Sequence, residues 1–209
     1  MKQYLSYLSI VLLLLIGANE SKAQLRLTVE ASQFSSNFLF TDSDGERDNN
    51  YTAKLTGAYR VGYQVKWNSG IYFRNSIGIR KAGATYEFNG INNDWDLQYV
   101  EFQLGLGYMK YMESIGVYIA VSPYYAHLTR GNQRLSGINY NLVNSDNFNV
   151  NEIGVTARGG LLIDLSEQLD LNVGVSFLRG FTNLELEDNG QITNSQSMGF
   201  DLGLAFKID

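Results

Sequence analysis

From residue 25 onward the sequence repeats one pattern, in which apolar and polar residues alternate with a period of two. Residues 54–67 show it most fully. Leu55, Tyr59, Val61, Tyr63, Val65 and Trp67 share one side with Gly57, while Lys54, Thr56, Ala58, Arg60, Gly62, Gln64 and Lys66 share the other. A helix would mix these sets around its circumference. A strand separates them, because successive Cβ atoms point to opposite faces of a sheet. The same separation recurs over 25–32, 71–80, 100–108, 115–124, 152–165, 169–177 and 200–208, which together with 54–67 makes eight strands. No run after residue 24 reaches the length of a membrane-crossing helix.

The connections between these segments alternate in length. Short turns are expected at Asn68-Ser69-Gly70, near Met112-Glu113-Ser114 and at Ser166-Glu167-Gln168, and long polar loops near 41–51, 89–95, 131–150 and 184–196. Short turns at one end and long loops at the other, with an even strand number, describe an all-β, eight-stranded antiparallel up-and-down transmembrane β-barrel. In such a barrel the turns and both ends of the chain are periplasmic and the long loops external.

Alternation alone does not tell a membrane barrel from a water-soluble, lipocalin-like carrier, since each has one apolar and one polar face. The make-up of the faces decides. One carries Val, Ile, Leu, Phe and Tyr almost without charge; the other interleaves Gly, Ala and Ser with Arg, Lys, Glu and Asp. A soluble carrier would need bulky apolar groups inside and charge outside, so the charged face is read as the lumen. Aromatic residues near strand ends suggest two interfacial girdles, with Trp67 and Tyr108 at the periplasmic level and Trp95 and Tyr99, beside Tyr51 and Tyr86, at the outer level.

Eight strands enclose a space that side chains can fill. The lumen-facing set includes Arg26, Lys54, Arg60, Lys66, Arg74, Arg80, Arg158 and Lys207 against Glu30, Glu101, Glu152, Asp164, Asp170 and Asp201. An unpaired charge in such a space is costly, so these groups should pair across it. A plug built from Arg60, Arg74, Arg158, Glu101 and Asp201 is expected, in place of an open pore. The inward glycines would make room for the long Arg, Lys and Tyr side chains.

The first residues read as an export leader. Lys2 precedes an apolar stretch from Leu5 to Gly17, and Ser21 and Ala23 occupy the small-residue positions of a cleavage site. Residues 1–23 are expected to be removed and 24–209 to form the barrel. Cleavage takes away Lys2, Lys22 and Glu20, one net positive charge, so the formal charge moves from −5 to −6. An acidic chain with no basic cluster is a poor nucleic-acid binder. The sequence has no Cys, which excludes thiol catalysis and thiolate metal sites.

Candidate chemistry is sparse. His127 is the sole His and stands near Ser122, Thr129 and Arg130, a set that a lipid-modifying hydrolase could use. Thr is a weak substitute for a nucleophilic Ser, and no carboxylate is adjacent in sequence. Asp42, Asp44, Glu46 and Asp48 around Gly45 lack the spacing and terminal Glu of an EF-hand and read as a solvated acidic loop. No catalytic residue, metal or cofactor is therefore expected.

The segment from Gln24 to Asp209 resembles the PorT-like and OmpX-like outer-membrane β-barrel families. The resemblance is carried by the leader ending Ser21-Lys22-Ala23, the eight alternating segments, and a closing strand, Met198 to Asp209, with Gly203 and Phe206. It implies a closing strand read by the barrel-assembly machinery and a place in the outer membrane of a Gram-negative envelope, among lipid and lipopolysaccharide. It implies a structural, adhesion-related or secretion-accessory role, with any protein partner meeting the outer loops.

Overall fold

The computed structural model describes residues 23–208 apart from 49, 89, 90 and 187–189, and only the backbone of 48, 88, 91 and 92. The leader expected at 1–23 lies outside the described residues except for Ala23. The alternating segments become the strands β1 (Gln24–Thr41), β3 (Tyr51–Lys66), β4 (Ile71–Phe88), β5 (Ile91–Met112), β6 (Ile115–Leu135), β8 (Asn151–Ser166), β9 (Leu169–Gly180) and β10 (Ile192–Ile208). Two short pieces, β2 (Arg47–Asp48) and β7 (Ile138–Asn141), extend the sheet at one end. The eight long strands pair antiparallel with their neighbours in chain order, and β1 closes on β10 from Leu25↔Ile208 to Thr41↔Ile192. The result is an eight-stranded up-and-down barrel with no free edge along its wall.

Burial follows strand parity. Along β1, Arg26, Thr28, Glu30, Ser32, Phe34 and Ser36 are buried, while Leu25, Leu27 and Val29 are exposed. The same inversion holds around the ring: Leu106, Ile119, Val121, Val175 and Leu202 face outward, whereas Arg60, Arg80, Glu101 and Glu152 are inside. In a water-soluble protein the two sets would change places.

The three short connections, 67–70, 113–114 and 167–168, share the end where β1 starts and β10 finishes. At the first of them Gly70 adopts φ +88 and donates its N–H to the Trp67 carbonyl at 3.0 Å, a backbone that a side chain would strain. The opposite end differs from the expected run of open loops. Residues 91–95 are strand, because β4 and β5 stay paired as far as Phe88↔Ile91 and β5 meets β6 as far as Asp94↔Arg134. Their Asn and Asp content resembles a loop, yet pairing with β4 holds this segment extended, with Asn93 and Trp95 turned inward.

Two irregularities reset parity near this end. One, between Ala53 and Ala58 on β3, leaves Lys54 on the outside instead of in the lumen. Its ammonium lies 2.8 Å from Asp94 and 2.6 Å from Asp96, which alternate with the inward Asn93, Trp95 and Leu97. The other, where Gln98↔Arg130 is followed by Tyr99↔Leu128, makes Thr129 an extra residue of β6 and brings both Leu128 and Gly131 to the inner face.

Candidate functional site

The lumen is filled in layers. Nearest the turns, Arg26 from β1 donates to Asp170 of β9 at 2.6 Å and to the Tyr111 hydroxyl at 2.9 Å. Tyr111 in turn donates to Asp170 at 2.6 Å, and Lys207 of β10 pairs with Asp170 at 2.9 Å and Asp164 at 3.0 Å. Above this, Tyr72, Met109, Tyr118, Ala120 and Leu162 form a small apolar cluster. Tyr118 fits because it faces glycine: a Cβ on Gly174 would stand 2.4 Å from its hydroxyl oxygen.

The central layer is ionic. Glu30 accepts from both Arg74 and Arg158, and Arg158 also donates to Gln103 at 2.9 Å. Gln103 donates to Glu101 at 2.7 Å, and Arg60 donates to Glu101 at 2.9 Å and to the Ser32 hydroxyl at 3.0 Å. Arg80 then bridges two acids, donating to Glu101 at 2.6 Å and to Glu152 at 2.9 Å. Glu152 accepts further from Ser195 at 2.8 Å and from the Tyr124 hydroxyl. Arg80 also lies against two rings, with its guanidinium carbon 4.8 Å from the Tyr99 centroid and 5.3 Å from that of Tyr124. The hydrogen bonds run without a break from Arg74 to Tyr124 and join strands β1, β3, β4, β5, β6, β8 and β10.

Of the five residues expected in the network, Arg60 and Glu101 meet directly, while Arg74 and Arg158 converge on Glu30. Asp201 is reached through Ser32, whose hydroxyl donates to it at 2.5 Å. Glu30, Arg80 and Glu152, inward by parity, join these five in the network. Gln103 was missed as a bridging residue although parity put it on the same face.

The girdle residues divide. Tyr108 is exposed on the outer face and Trp67 is half-exposed at the β3–β4 turn. Trp95 and Tyr99 do not face outward at all: Trp95 is 5% exposed and Tyr99 0%. Both share the parity of inward Glu101, and the β5 ladder carries that parity unbroken to its outer end. They belong to an inner apolar layer with Phe38, Leu97, Leu128 and Leu178 that caps the ionic one. Tyr51 and Tyr86 pack against this layer from above.

Among the described residues, neither Ser122 nor Thr129 is a hydrogen-bond partner of His127. It is exposed on the outer face, with Nδ1 2.9 Å from Asn151 Oδ1, the same oxygen that accepts from the Tyr125 hydroxyl at 2.6 Å. Ser122 is buried on the inner face, and the Thr129 hydroxyl donates to the Gln98 carbonyl at 3.0 Å. In the first loop, Asp42 Oδ1 accepts the backbone N–H groups of Asp44 at 3.0 Å and Glu46 at 2.8 Å, so this carboxylate shapes its own turn.

No family model matches the chain, and no curated protein matches it significantly. Solved structures do. The chain is similar to Neisserial surface protein A at 14% identity and a TM-score of 0.54, over 89% of this chain and 99% of that one. It is similar to the outer membrane protein OprG from Pseudomonas aeruginosa at 10% identity and a TM-score of 0.54, over 90% and 97% of the two chains. A major outer membrane protein from Thermus thermophilus aligns at 12% identity and a TM-score of 0.53, over 90% and 100%. At these identities the likeness is one of fold: this is the fold of outer-membrane β-barrels.

Proposed function

We propose that this protein is a bacterial outer-membrane barrel, closed to solutes by its own side chains, that acts as a structural, adhesion or secretion-accessory component through the end opposite its turns. One observation carries the reading: a belt of exposed Val, Ile, Leu and Phe surrounds the barrel while arginines and glutamates are sealed inside it. Contiguous apolar surface of that extent is unfavourable in water and favourable against lipid tails. Buried charges are tolerated where each is paired and hydrogen-bonded, as the Arg80, Glu101 and Glu30 contacts are. Among the described residues the lumen is packed with its own side chains, which disfavours a soluble carrier of a small apolar ligand.

Every long strand has at least 12 residues, more than the roughly 9–11 that a tilted strand needs to cross the hydrocarbon. The excess in β5 and β6, 22 and 21 residues long, raises a wall beyond the belt at the loop end. That wall is the part able to meet a partner outside the cell. Kinship with the PorT-like and OmpX-like barrels, export by a cleaved leader, insertion by the barrel-assembly machinery and contact with lipopolysaccharide belong to the same proposal.

The test combines location and conductance. The protein should fractionate with outer membranes, migrate differently on gels before and after boiling, and give no large steady single-channel current in planar bilayers. Recovery as a soluble periplasmic protein would overturn the membrane reading, and a steady large conductance would overturn the closed lumen.

A further inference from the structure

Above the inner apolar layer the loop end opens as a bowl of about 480 Å³, within the size range of small-molecule sites. One wall is aromatic. The Tyr51 ring stacks on Phe40 at 5.9 Å and lies 5.0 Å from Tyr86 and 5.7 Å from Trp95, while Phe38 beneath meets Trp95 edge-on at 6.1 Å. Because these rings pack on one another, they form a continuous surface and do not enclose a single point. Tyr140 of β7 lines another side.

The rest of the lining sets polar groups of little charge beside Leu135, Leu142 and Phe148. Asn93, Gln133, Asn147 and Gln191 supply amides, and among the described residues Glu185 is the single lining carboxylate and no Lys or Arg lines the bowl. Two of the polar groups are already held in place. Asn93 Oδ1 accepts the Ser136 N–H at 3.0 Å, and Glu185 Oε2 accepts the Thr193 hydroxyl at 2.9 Å. Groups fixed before binding lose less entropy when a ligand arrives.

This chemistry is selective. An anion would meet a carboxylate and no cation. A purely apolar ligand would strip water from the amides without replacing their hydrogen bonds. A lone quaternary ammonium group is best served by rings converging on it from several sides. A sugar ring has an apolar C–H face and a rim of hydroxyls, and it matches an aromatic wall beside amides that both donate and accept.

We propose that this bowl binds a neutral oligosaccharide, with sugar rings against Tyr51 and Tyr86, which rest on Trp95, and hydroxyls bonded to Asn93, Gln133 and Glu185. The assignment rests on the reading of the loop end as the interacting end and names the class of ligand it takes there.

The chain has two tryptophans, Trp67 at a turn and Trp95 in the aromatic wall, so Trp67→Phe leaves one reporter at the site. Full-length Trp67→Phe protein, folded in detergent and checked by its heat-dependent gel shift, is titrated with neutral oligomers of glucose, N-acetylglucosamine, mannose and galactose. At least one series should change Trp95 emission saturably. Tyr86→Ala and, separately, Glu185→Gln should weaken that series by about tenfold or more, and sulfated counterparts should bind more weakly than the neutral sugar. The inference is overturned if no neutral sugar changes the emission of a folded barrel, if both variants bind as well as the parent, or if choline or a sulfated sugar binds more tightly. Outer-membrane fractionation of the same proteins reports on the barrel reading alone, so the two readings can fail separately.

Discussion

Arg80 Nε lies 2.6 Å from Glu101 Oε2, and neither side chain has any exposure to solvent. Glu101 also holds Arg60 at 2.9 Å, so one carboxylate compensates two buried guanidinium groups. Glu101→Gln should therefore destabilise the barrel by about 3–5 kcal/mol, the usual result of leaving a buried charge without its partner. Lys54→Ala breaks partly exposed pairs on the outside and should cost about 1 kcal/mol or less. Urea unfolding followed by the gel shift measures both, and equal losses would contradict the role given to the inner network.

Leu104 and Ile138 are both exposed, at 40% and 59%, but Leu104 sits within the apolar belt and Ile138 on the β7 extension. Arginine in the middle of the belt should cost about 2–4 kcal/mol in a bilayer. At the extension it should change stability by no more than about 0.5 kcal/mol. Leu104→Arg and Ile138→Arg unfolded in lipid vesicles give the comparison; similar values would mean that lipid does not cover the belt.

Trp67 is half-exposed at the turn end, whereas the Trp95 ring is inside the wall. Brominated lipids should quench the emission of Trp95→Phe protein, which retains Trp67, and leave that of Trp67→Phe protein nearly unchanged. Strong quenching of Trp95 would return it to the outer girdle.

The fit of Tyr118 against Gly174 predicts a steric penalty. Gly174→Ala places a Cβ 2.4 Å from the Tyr118 hydroxyl oxygen and 2.7 Å from the Gly159 carbonyl. Overpacking of this kind should cost about 1–3 kcal/mol. Adding Tyr118→Phe removes the first clash only, so the double variant should recover part of the loss in the same unfolding assay. No recovery would show that the ring is not what the glycine accommodates.

Much of the barrel was legible because side-chain parity is a local property of an extended backbone. Arg60 and Val61 must point to opposite sides whatever the rest of the chain does, and the turns at 67–70, 113–114 and 167–168 carry their own small or polar residues. Parity also contained the inward position of Trp95 and Tyr99. Grouping aromatics by their nearness to a strand end hid it, since that grouping ignores the face. Lys54 could not be placed in the same way, because one irregularity in β3 shifts the count by a residue, and a bulge is set by the partner strand.

The amino-acid order alone thus determined eight strands, their two faces, the end with short turns and the inward placing of the central charges. Tertiary structure decided which charge meets which. Arg158 finds Glu30, 128 residues away, and Asp201 is left to Ser32. It also decided that residues 91–95 rise as wall, and that side chains from separate strands and loops gather into one bowl. The physical reason is that alternation is written residue by residue, whereas the meeting of two side chains across a lumen depends on the stagger of strands that become neighbours only when the ring closes.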